Sequence, residues 1–414
     1  MNLKPYLEVF SNRRVAVMLL LGFSSGLPLA LTAGTLQAWL TIEKVDITTI
    51  GIFTLVGTPY TWKFLWAPFM DRFVPPFLGR RRGWIIATQL LLLVGIAAMG
   101  NVSPAQAPWT MALLAILVAF TSASQDVVID AYRTDVLREN ERGAGAAVSV
   151  LGYRIAMLIS GALALILSDQ IGWHNTYMVM AVLMGLSMIP TLWGPEPEVR
   201  VKPPHSLNDA VLEPLREFFS RRGALLLLLL IVLYKLGDAF AGSLTTAFLL
   251  RGPGFTPTEV GTINKGMGLI ATIIGVLFGG GLMARLGLFR SLMVFGILQG
   301  VSNLSFMWLA ASGKSYAIMV TAIALENVTG GMGTAAFVAL LMSLCDHRYT
   351  ATQYALLSAL SAVGRVYVGP ASGFLVAQVG WVEFFFLTFL FSLPGLFLLY
   401  WMRDQITRQS HAYA

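Results

Sequence analysis

The chain has 414 residues, of which 56% are hydrophobic and only 12% are charged. That charge content is about half that of an ordinary soluble domain. Together with a mean hydropathy of +0.72, it excludes a soluble protein. The net charge of +7 does not require a nucleic-acid partner if the basic excess lies in cytoplasmic loops. A single cysteine, Cys345, excludes an intramolecular disulfide.

Apolar segments of membrane-spanning length repeat along the whole chain. Since a spanning helix needs roughly 20 residues, we predict an all-α integral membrane protein with twelve transmembrane helices in two pseudo-symmetric six-helix bundles. With both termini in the cytoplasm, 20 of the 28 Lys and Arg residues lie in cytoplasmic segments and 3 in external loops, a bias that fixes the orientation. The predicted spans are 15–40, 48–70, 84–100, 109–132, 145–168, 175–193, 224–250, 259–284, 290–311, 316–341, 351–376 and 382–402.

A polar linker, 194–223, divides the chain into an N-terminal bundle, 1–193, and a C-terminal bundle with a short tail, 224–414. The proline-rich start of the linker cannot be helical throughout. After it, Ser206 can cap a short amphipathic helix on the cytoplasmic membrane surface; a disordered tether is the alternative. The apolar face of this helix would comprise Leu207, Val211, Leu215, Phe218 and Phe219, and its basic residues are Arg216, Arg221 and Arg222.

The two halves resemble copies of each other. Arg285 follows Arg72 by 213 residues, and Arg365 follows Arg154 by 211. Such offsets indicate two related bundles with a binding site between them near the membrane midplane. Small residues also recur at about every fourth position in spans 1 and 8, a pattern typical of closely packed helices. These residues are Gly22, Gly26, Ala30 and Gly34, and Gly268, Thr272, Gly275 and Gly279.

Charged residues lie inside several spans. Asp126 and Asp130 are four residues apart and therefore share one helix face. An ionised carboxylate in the membrane interior costs at least ~2.5–3.5 kcal/mol, so either both acids are paired, for example with Arg154, or they face a water-filled path and carry protons. Lys235 and Asp238 are expected to pair within one helix. The intramembrane bases are Lys63, Arg154, Lys235, Lys265 and Arg365, and the acids are Asp126, Asp130, Asp238 and Glu326.

The excess of deep bases over acids favours a cargo that carries carboxylates or phosphates. Amide and aromatic side chains suit sugar and peptide groups. Because the sequence has neither a metal-ligand cluster nor a phosphate-binding loop, we expect no metal, cofactor or ATP, and a proton or ion gradient as the energy source. The proton-coupling candidates are Asp126, Asp130 and Glu326. The candidate substrate-binding residues are Gln37, Trp39, Gln125, Tyr153, Arg154, Lys235, Asp238, Lys265, Asn327 and Arg365.

Two cytoplasmic loops resemble the loop signature of the major facilitator superfamily. The first reads Asp71-Arg72 and then Gly79-Arg80-Arg81-Arg82; the second contains Arg285 but lacks the aspartate. The resemblance implies the major facilitator fold, with alternating access between the two bundles. We predict gating roles for Asp71, Arg72, Arg133 and Arg285.

Longer segments resemble the AmpG family of bacterial muropeptide permeases. They are SGLPLALTAGTLQAWL (25–40), SASQDVVIDAYRTDVL (122–137), ERGAGAAVSVLGYR (141–154), LYKLGDAFAGSLTTAFL (233–249) and ALLSALSAVGRVYVGP (355–370). The resemblance implies proton-coupled import of N-acetylglucosaminyl-1,6-anhydro-N-acetylmuramyl peptides across the bacterial inner membrane, for wall recycling and β-lactamase induction. We expect a monomer in the bilayer that is not an enzyme. The alternative is an exporter of drugs or another anionic solute by proton antiport.

Overall fold

The computed structural model describes residues 12–137, 142–195, 213–220, 223–344 and 350–411, and every regular element within these ranges is a helix. Nine helical stretches in the described part of the chain are long and apolar enough to cross a bilayer. Two of them, Val148–Trp193 and Ala359–Trp401, have 46 and 43 residues, about twice the roughly 20 that one crossing requires. Each is divided by a glycine with positive φ, Gly172 (80°) and Gly380 (82°), so each accommodates two spans.

The predicted span 48–70 is not one continuous helix. It consists of short α-helical and 3-10 pieces between Ile47 and Arg72, with Pro59 and Pro68 in the first turns of two of them. A proline inside a helix removes a hydrogen bond and clashes with the preceding turn, which accounts for the breaks. With this broken segment and the two divided stretches, the helices agree with the predicted twelve spans.

The first half of the chain forms ten α-helices, and a π-helix, Leu158–Leu163, continues the eighth. They are α1 (Arg13–Thr32), α2 (Gly34–Ile42), α3 (Ile47–Phe53), α4 (Thr58–Trp62), α5 (Ala67–Arg72), α6 (Arg80–Gly100), α7 (Pro108–Val136), α8 (Arg142–Met157), α9 (Ala164–Leu186) and α10 (Met188–Trp193).

The second half forms eleven, with a second π-helix, Val260–Met267. They are α11 (Glu213–Ser220), α12 (Ala224–Tyr234), α13 (Leu236–Ser243), α14 (Thr245–Arg251), α15 (Pro257–Glu259), α16 (Gly268–Leu286), α17 (Leu288–Ser312), α18 (Tyr316–Ser343), α19 (Thr350–Tyr367), α20 (Gly369–Trp401) and α21 (Arg403–His411).

The helices group into two compact units. The first comprises Met1–Val45 and Val56–Pro203, and the second comprises Asp46–Leu55 and Pro204–Ala414. Of the predicted linker helix, α11 is described, with Phe218 buried and Phe219 exposed. Several residues named above lie outside the described residues: Ser206, Leu207, Val211, Arg221, Arg222 and Cys345.

Glycines allow close helix packing inside each unit. In the first unit α1 packs on α8, and a Cβ on Gly26 would lie 2.5 Å from the backbone oxygen of Tyr153. In the second unit α16 packs on α18, where a Cβ on Gly279 would lie 2.6 Å from the Cα of Met332. Ordinary side chains cannot approach so closely, so the predicted packing role of these small residues is confirmed at both positions.

Residues 46–55 belong to the second unit because α3 packs on the start of α20. A Cβ on Gly51 would lie 2.5 Å from the backbone oxygen of Gly369, and one on Gly373 would lie 2.7 Å from that of Ile47. The Thr54 hydroxyl donates a hydrogen bond of 3.1 Å to the Val366 carbonyl beside this contact.

Candidate transport site

The acids of the first unit lie in the second half of α7. Asp126 accepts a very short hydrogen bond from the Ser25 hydroxyl of α1. Asp130, one turn further along, forms an ion pair of 2.9 Å with Arg133, and the two side chains are 55% and 30% exposed. The two acids are close enough to interact electrostatically. Asp126 is therefore held inside the unit, whereas Asp130 is open to its surface.

The basic group that acts on Asp126 is Lys63, in the 3-10 turn after α4. The sequence suggested Arg154 as a partner of Asp126, but the side chain that contacts Asp126 is Ser25. The Arg154 side chain is exposed, and its guanidinium Nη1 lies 4.0 Å from the Met157 sulfur. Lys63 thus provides the nearby positive charge without forming an ion pair at contact distance with Asp126.

Gln125 is fully buried and donates a hydrogen bond of 2.9 Å from its amide to the Ser24 hydroxyl. Ser24 also accepts from Gln89 at 2.9 Å and from Ser187 at 3.1 Å. This network joins α1, α6, α7 and the turn before α10. A substrate role for Gln125 stays a prediction; in the described part of the chain its amide nitrogen is bonded to Ser24, and its buried amide oxygen has no hydrogen-bond partner.

Trp39 is 4% exposed and stacks on Trp173, with ring centroids 5.6 Å apart and planes inclined by 7°. Its second ring neighbour, Tyr177, lies 5.0 Å away. Gln37 and Tyr153 are both partly exposed. The substrate roles of the aromatic and amide candidates of the first unit stay predictions.

The second unit contains a cavity of about 510 Å³. This volume is typical of small-molecule sites, which usually enclose about 300–1,000 Å³. Its wall combines charged groups with the ring of Phe337, hydroxyl groups and aliphatic side chains. The charged lining residues are Lys235, Asp238, Glu326 and Arg365, all four of which were predicted from the sequence.

Lys235 and Asp238 form the predicted ion pair, with 3.4 Å between the ammonium Nζ and the carboxylate Oδ2. Gln299 of α17 joins them: its Oε1 lies 3.4 Å from the Lys235 ammonium, and its Nε2 donates a very short hydrogen bond to Asp238. The Lys235 ammonium also lies 5.8 Å above the Phe337 ring. Sequence reasoning missed Gln299; its only signal was an amide in the middle of an apolar span.

The break between helices α12 and α13 positions the Lys235–Asp238 pair at the cavity. Lys235 has non-helical dihedral angles (φ −99°, ψ 1°), and Asp238 lies in the first turn of α13. A carboxylate is stabilised there because the first backbone N–H groups of a helix carry partial positive charge. The interrupted helix thus turns a charged side chain into the cavity wall, a feature common at the sites of secondary transporters.

Glu326 accepts a hydrogen bond of 2.8 Å from the amide of Asn327, which itself accepts one of 2.9 Å from the Thr272 hydroxyl. Lys265 lies in the π-helix Val260–Met267 and donates to the Thr246 hydroxyl at 3.1 Å. Lys265 and Lys235 both interact electrostatically with Glu326. The second unit therefore places four of the predicted residues in the wall of one cavity and two more, Asn327 and Lys265, near Glu326.

The predicted gating residues lie at helix ends. Asp71 and Arg72 end α5, and their side chains lie outside what the structure describes. Arg285 is exposed in the last turn of α16. The sequence did not single out Asp135, which accepts a hydrogen bond of 2.7 Å from Arg81 and lies 3.9 Å from Arg80. The gating roles predicted for Asp71, Arg72, Arg133 and Arg285 stay predictions.

Three comparisons relate the chain to known proteins. The profile of the Major Facilitator Superfamily matches residues 16–368. The chain is 58% identical to the Anhydromuropeptide permease of Escherichia coli (strain K12), over 95% of this chain and 80% of that protein. It is 34% identical to the Putative transporter AmpG 4 of Rickettsia felis, over 96% and 99%.

Among solved structures, the chain is similar to a bacterial homolog of the human lysosomal transporter Spinster in an inward-facing, unoccupied conformation. The TM-score is 0.72 at 14% sequence identity, over 96% of this chain and 97% of that one. At this identity the likeness concerns the fold alone.

Proposed function

Because this chain belongs to the major facilitator superfamily, and within it to the family of the Escherichia coli anhydromuropeptide permease, we propose that it imports N-acetylglucosaminyl-1,6-anhydro-N-acetylmuramyl peptides with the proton gradient as the driving force. The observation that carries the proposal is the 58% identity over 95% of the chain. The transporter lies in the bacterial inner membrane with both termini in the cytoplasm and acts as a monomer. The muropeptides that it imports feed wall recycling and the induction of β-lactamase.

The charges of the second unit support an anionic cargo. Among the described residues Arg365 has no ion-pair partner, although it lines the cavity. Lys235 lines the same cavity, where its ammonium is paired with Asp238 and can also bind a carboxylate of the cargo. Charge-assisted hydrogen bonds to Arg and Lys are the strongest contacts that a protein offers a carboxylate.

The acids support proton coupling. A membrane potential contributes about 2.3 kcal/mol per charge per 100 mV and opposes the entry of an anion. Protons that move with the cargo cancel this opposition. Asp126, Asp130 and Glu326 are the residues that would bind them, since all three lie within membrane-spanning helices beside basic groups.

Uptake of labelled anhydromuropeptide into proteoliposomes, with and without an imposed pH gradient, tests the proposal. We expect accumulation above the external concentration only when the outside is more acidic. Accumulation that is the same with and without the pH gradient would contradict proton coupling. Gradient-driven movement in the opposite direction would favour the exporter instead.

A further inference from the structure

One face of α7 carries a ladder of polar groups. Ser122, Asp126 and Asp130 follow one another at four-residue steps, and each step rises about 5.4–6 Å along the helix. Ser122 is fully buried, Asp126 is partly exposed, and the Asp130 side chain is 55% exposed. In the predicted orientation α7 runs from the outer to the cytoplasmic side. Exposure therefore increases toward the cytoplasm, and Ser122 lies on the outer side of Asp126.

Tyr60 meets this ladder from α4. Its hydroxyl is buried near Ser122 and Thr32 and interacts electrostatically with Asp126. Within the described part of the chain, neither the Tyr60 nor the Ser122 hydroxyl has a hydrogen-bond partner of normal geometry. The hydroxyl of Ser25, by contrast, is fully engaged with Asp126.

Two buried hydroxyls that lie together without a hydrogen bond of normal geometry need a physical reason. Leaving a polar group unpaired in an apolar interior is unfavourable, and phenylalanine and alanine would fill the same space without this penalty. A buried water with two to four polar partners removes the penalty. Tyr60, Ser122 and the carboxylate of Asp126 supply three such partners.

We propose that Tyr60 and Ser122 hold a buried water on the outer side of Asp126, and that this water delivers the transported proton to the carboxylate. The water passes one proton to the Asp126 oxygen that Ser25 does not contact and takes one from the outer side, so the water is regenerated and Asp126 becomes neutral. Asp130 then provides the exit toward the cytoplasm. This inference rests on the proposed function, and Tyr60 and Ser122 act in it as positioning residues.

Among the residues that the structure describes, three other charged or titratable groups act on Asp126 or on Tyr60. Lys63 follows α4, Asp130 lies on α7 itself, and Tyr153 of α8 faces Tyr60. On the side of α1, the facing groups are the hydroxyls of Ser25 and Thr32, which do not titrate. A change in the pH profile after removal of the Tyr60 hydroxyl therefore reports on Asp126 and its immediate partners.

Tyr60→Phe and Ser122→Ala test the proposal, and Tyr132→Phe is the matched control. Tyr132 is a buried tyrosine on α7 whose hydroxyl donates a hydrogen bond of 2.6 Å to the Pro195 carbonyl. Three quantities are measured in proteoliposomes and in detergent: gradient-driven accumulation of anhydromuropeptide against external pH, exchange of cargo at equal pH, and melting temperature.

We expect Tyr60→Phe and Ser122→Ala to lower accumulation by about tenfold, which corresponds to a tenfold change in the proton affinity of Asp126. The pH profile of accumulation should shift as well. Exchange at equal pH should persist, because it needs no net proton movement. The melting temperature should stay or rise. Tyr132→Phe should instead lower the melting temperature and keep the pH profile.

Two results would overturn the inference while the proposed function stands. One is wild-type accumulation and pH profile in both variants. The other is a joint loss of exchange and melting temperature in both, which would make the two hydroxyls structural. If the wild-type chain itself shows no gradient-driven uptake, the proposed function fails and the inference fails with it.

Discussion

The charged interiors of the two units differ in how their groups are held. In the first unit Asp126 is bound by a hydroxyl, and Lys63 acts on it from beyond contact distance. In the second unit Lys235, Asp238 and Gln299 hold one another directly, around a cavity of about 510 Å³. An acid bound by a hydroxyl can gain and lose a proton with little rearrangement. In the second unit, a ligand in the cavity can replace one member of the Lys235, Asp238 and Gln299 group.

The difference indicates a division of labour within one transporter. Deep charges are unfavourable in both units, but they are compensated in different ways. Hydroxyl groups compensate the acid of the first unit, and amides together with opposite charges compensate those of the second. We therefore expect substitutions in the first unit to affect mainly coupling, and those in the second unit to affect mainly cargo binding and stability.

The largest effect is expected for Asp126→Asn. The amide keeps the shape of the side chain but cannot bind the proton, so uphill accumulation should disappear. That accumulation amounts to about tenfold per pH unit of gradient for each coupled proton. Exchange at equal pH should remain. Uptake by proteoliposomes measures both. Unchanged accumulation would show that Asp126 does not couple proton movement to transport, and would contradict the proposed difference between the units.

The second effect compares the two ion pairs. Lys235→Met leaves Asp238 without its cation in a partly buried position, which should lower the free energy of unfolding by about 3 kcal/mol. Arg133→Gln removes the partner of the more exposed Asp130 and should cost about 0.5 kcal/mol. Chemical denaturation in detergent measures both quantities. Equal losses would show that the two pairs are embedded alike.

The double variant Lys235→Met/Asp238→Leu separates stability from function. Because both charges are removed together, it should regain most of the lost stability. Uptake should stay low, since the cation that we assign to the cargo is still missing. Recovery of uptake along with stability would make the pair purely structural.

The third effect tests what the two units share. Gly26→Ala and Gly279→Ala each force a Cβ into a neighbouring backbone and should lower the free energy of unfolding by about 1–3 kcal/mol. Gly280→Ala is the control, because a Cβ there meets nothing within 4 Å. It should be neutral or stabilising by about 0.5–1 kcal/mol, as expected for alanine in a helix. A loss confined to one unit would contradict their common packing.

The smallest effect concerns Asp46, which caps α3 by accepting a hydrogen bond of 2.8 Å from the Thr49 backbone. Burial acts to raise the pKa of Asp46, but hydrogen bonds from Thr49 outweigh it, so the pKa lies below its ordinary value. Asp46→Ala should cost about 1 kcal/mol, and Asp46→Asn much less.

The pH dependence of this cap follows from the lowered pKa. The carboxylate contributes its stability above the ordinary pKa of an aspartate and loses it as the pH falls through the lower, folded-state value. The difference between wild type and Asp46→Ala in denaturation should therefore shrink in acid. A difference that grows in acid would contradict the assignment of Asp46 as an ionised cap.

Local spacing in the sequence predicted much of this arrangement. The spans follow from hydropathy, the close helix contacts from the glycine repeats, and the Lys235–Asp238 pair from a spacing of three residues in one helix. Each of these depends on neighbours along the chain. That is why a single sequence was enough to predict them.

Contacts between distant segments could not be predicted in the same way. Ser25 is 101 residues from Asp126, and Gln299 is 61 from Asp238. Nothing in the sequence alone selects these partners among many serines and glutamines. The π-helix that carries Lys265 was also missed, because hydropathy does not distinguish it from an α-helix. The breaks between Ile47 and Arg72 were missed as well, because the span 48–70 was predicted from its hydropathy and not from the positions of Pro59 and Pro68.

Gly172 and Gly380 have a consequence for how the chain reaches the membrane. At each of them a single residue departs from helical dihedral angles between two consecutive spans. We therefore expect the two spans on either side to insert into the bilayer together as a helical hairpin, with little polypeptide to translocate between them. We expect proteases that act from the periplasmic side to find little chain to cleave at these two corners.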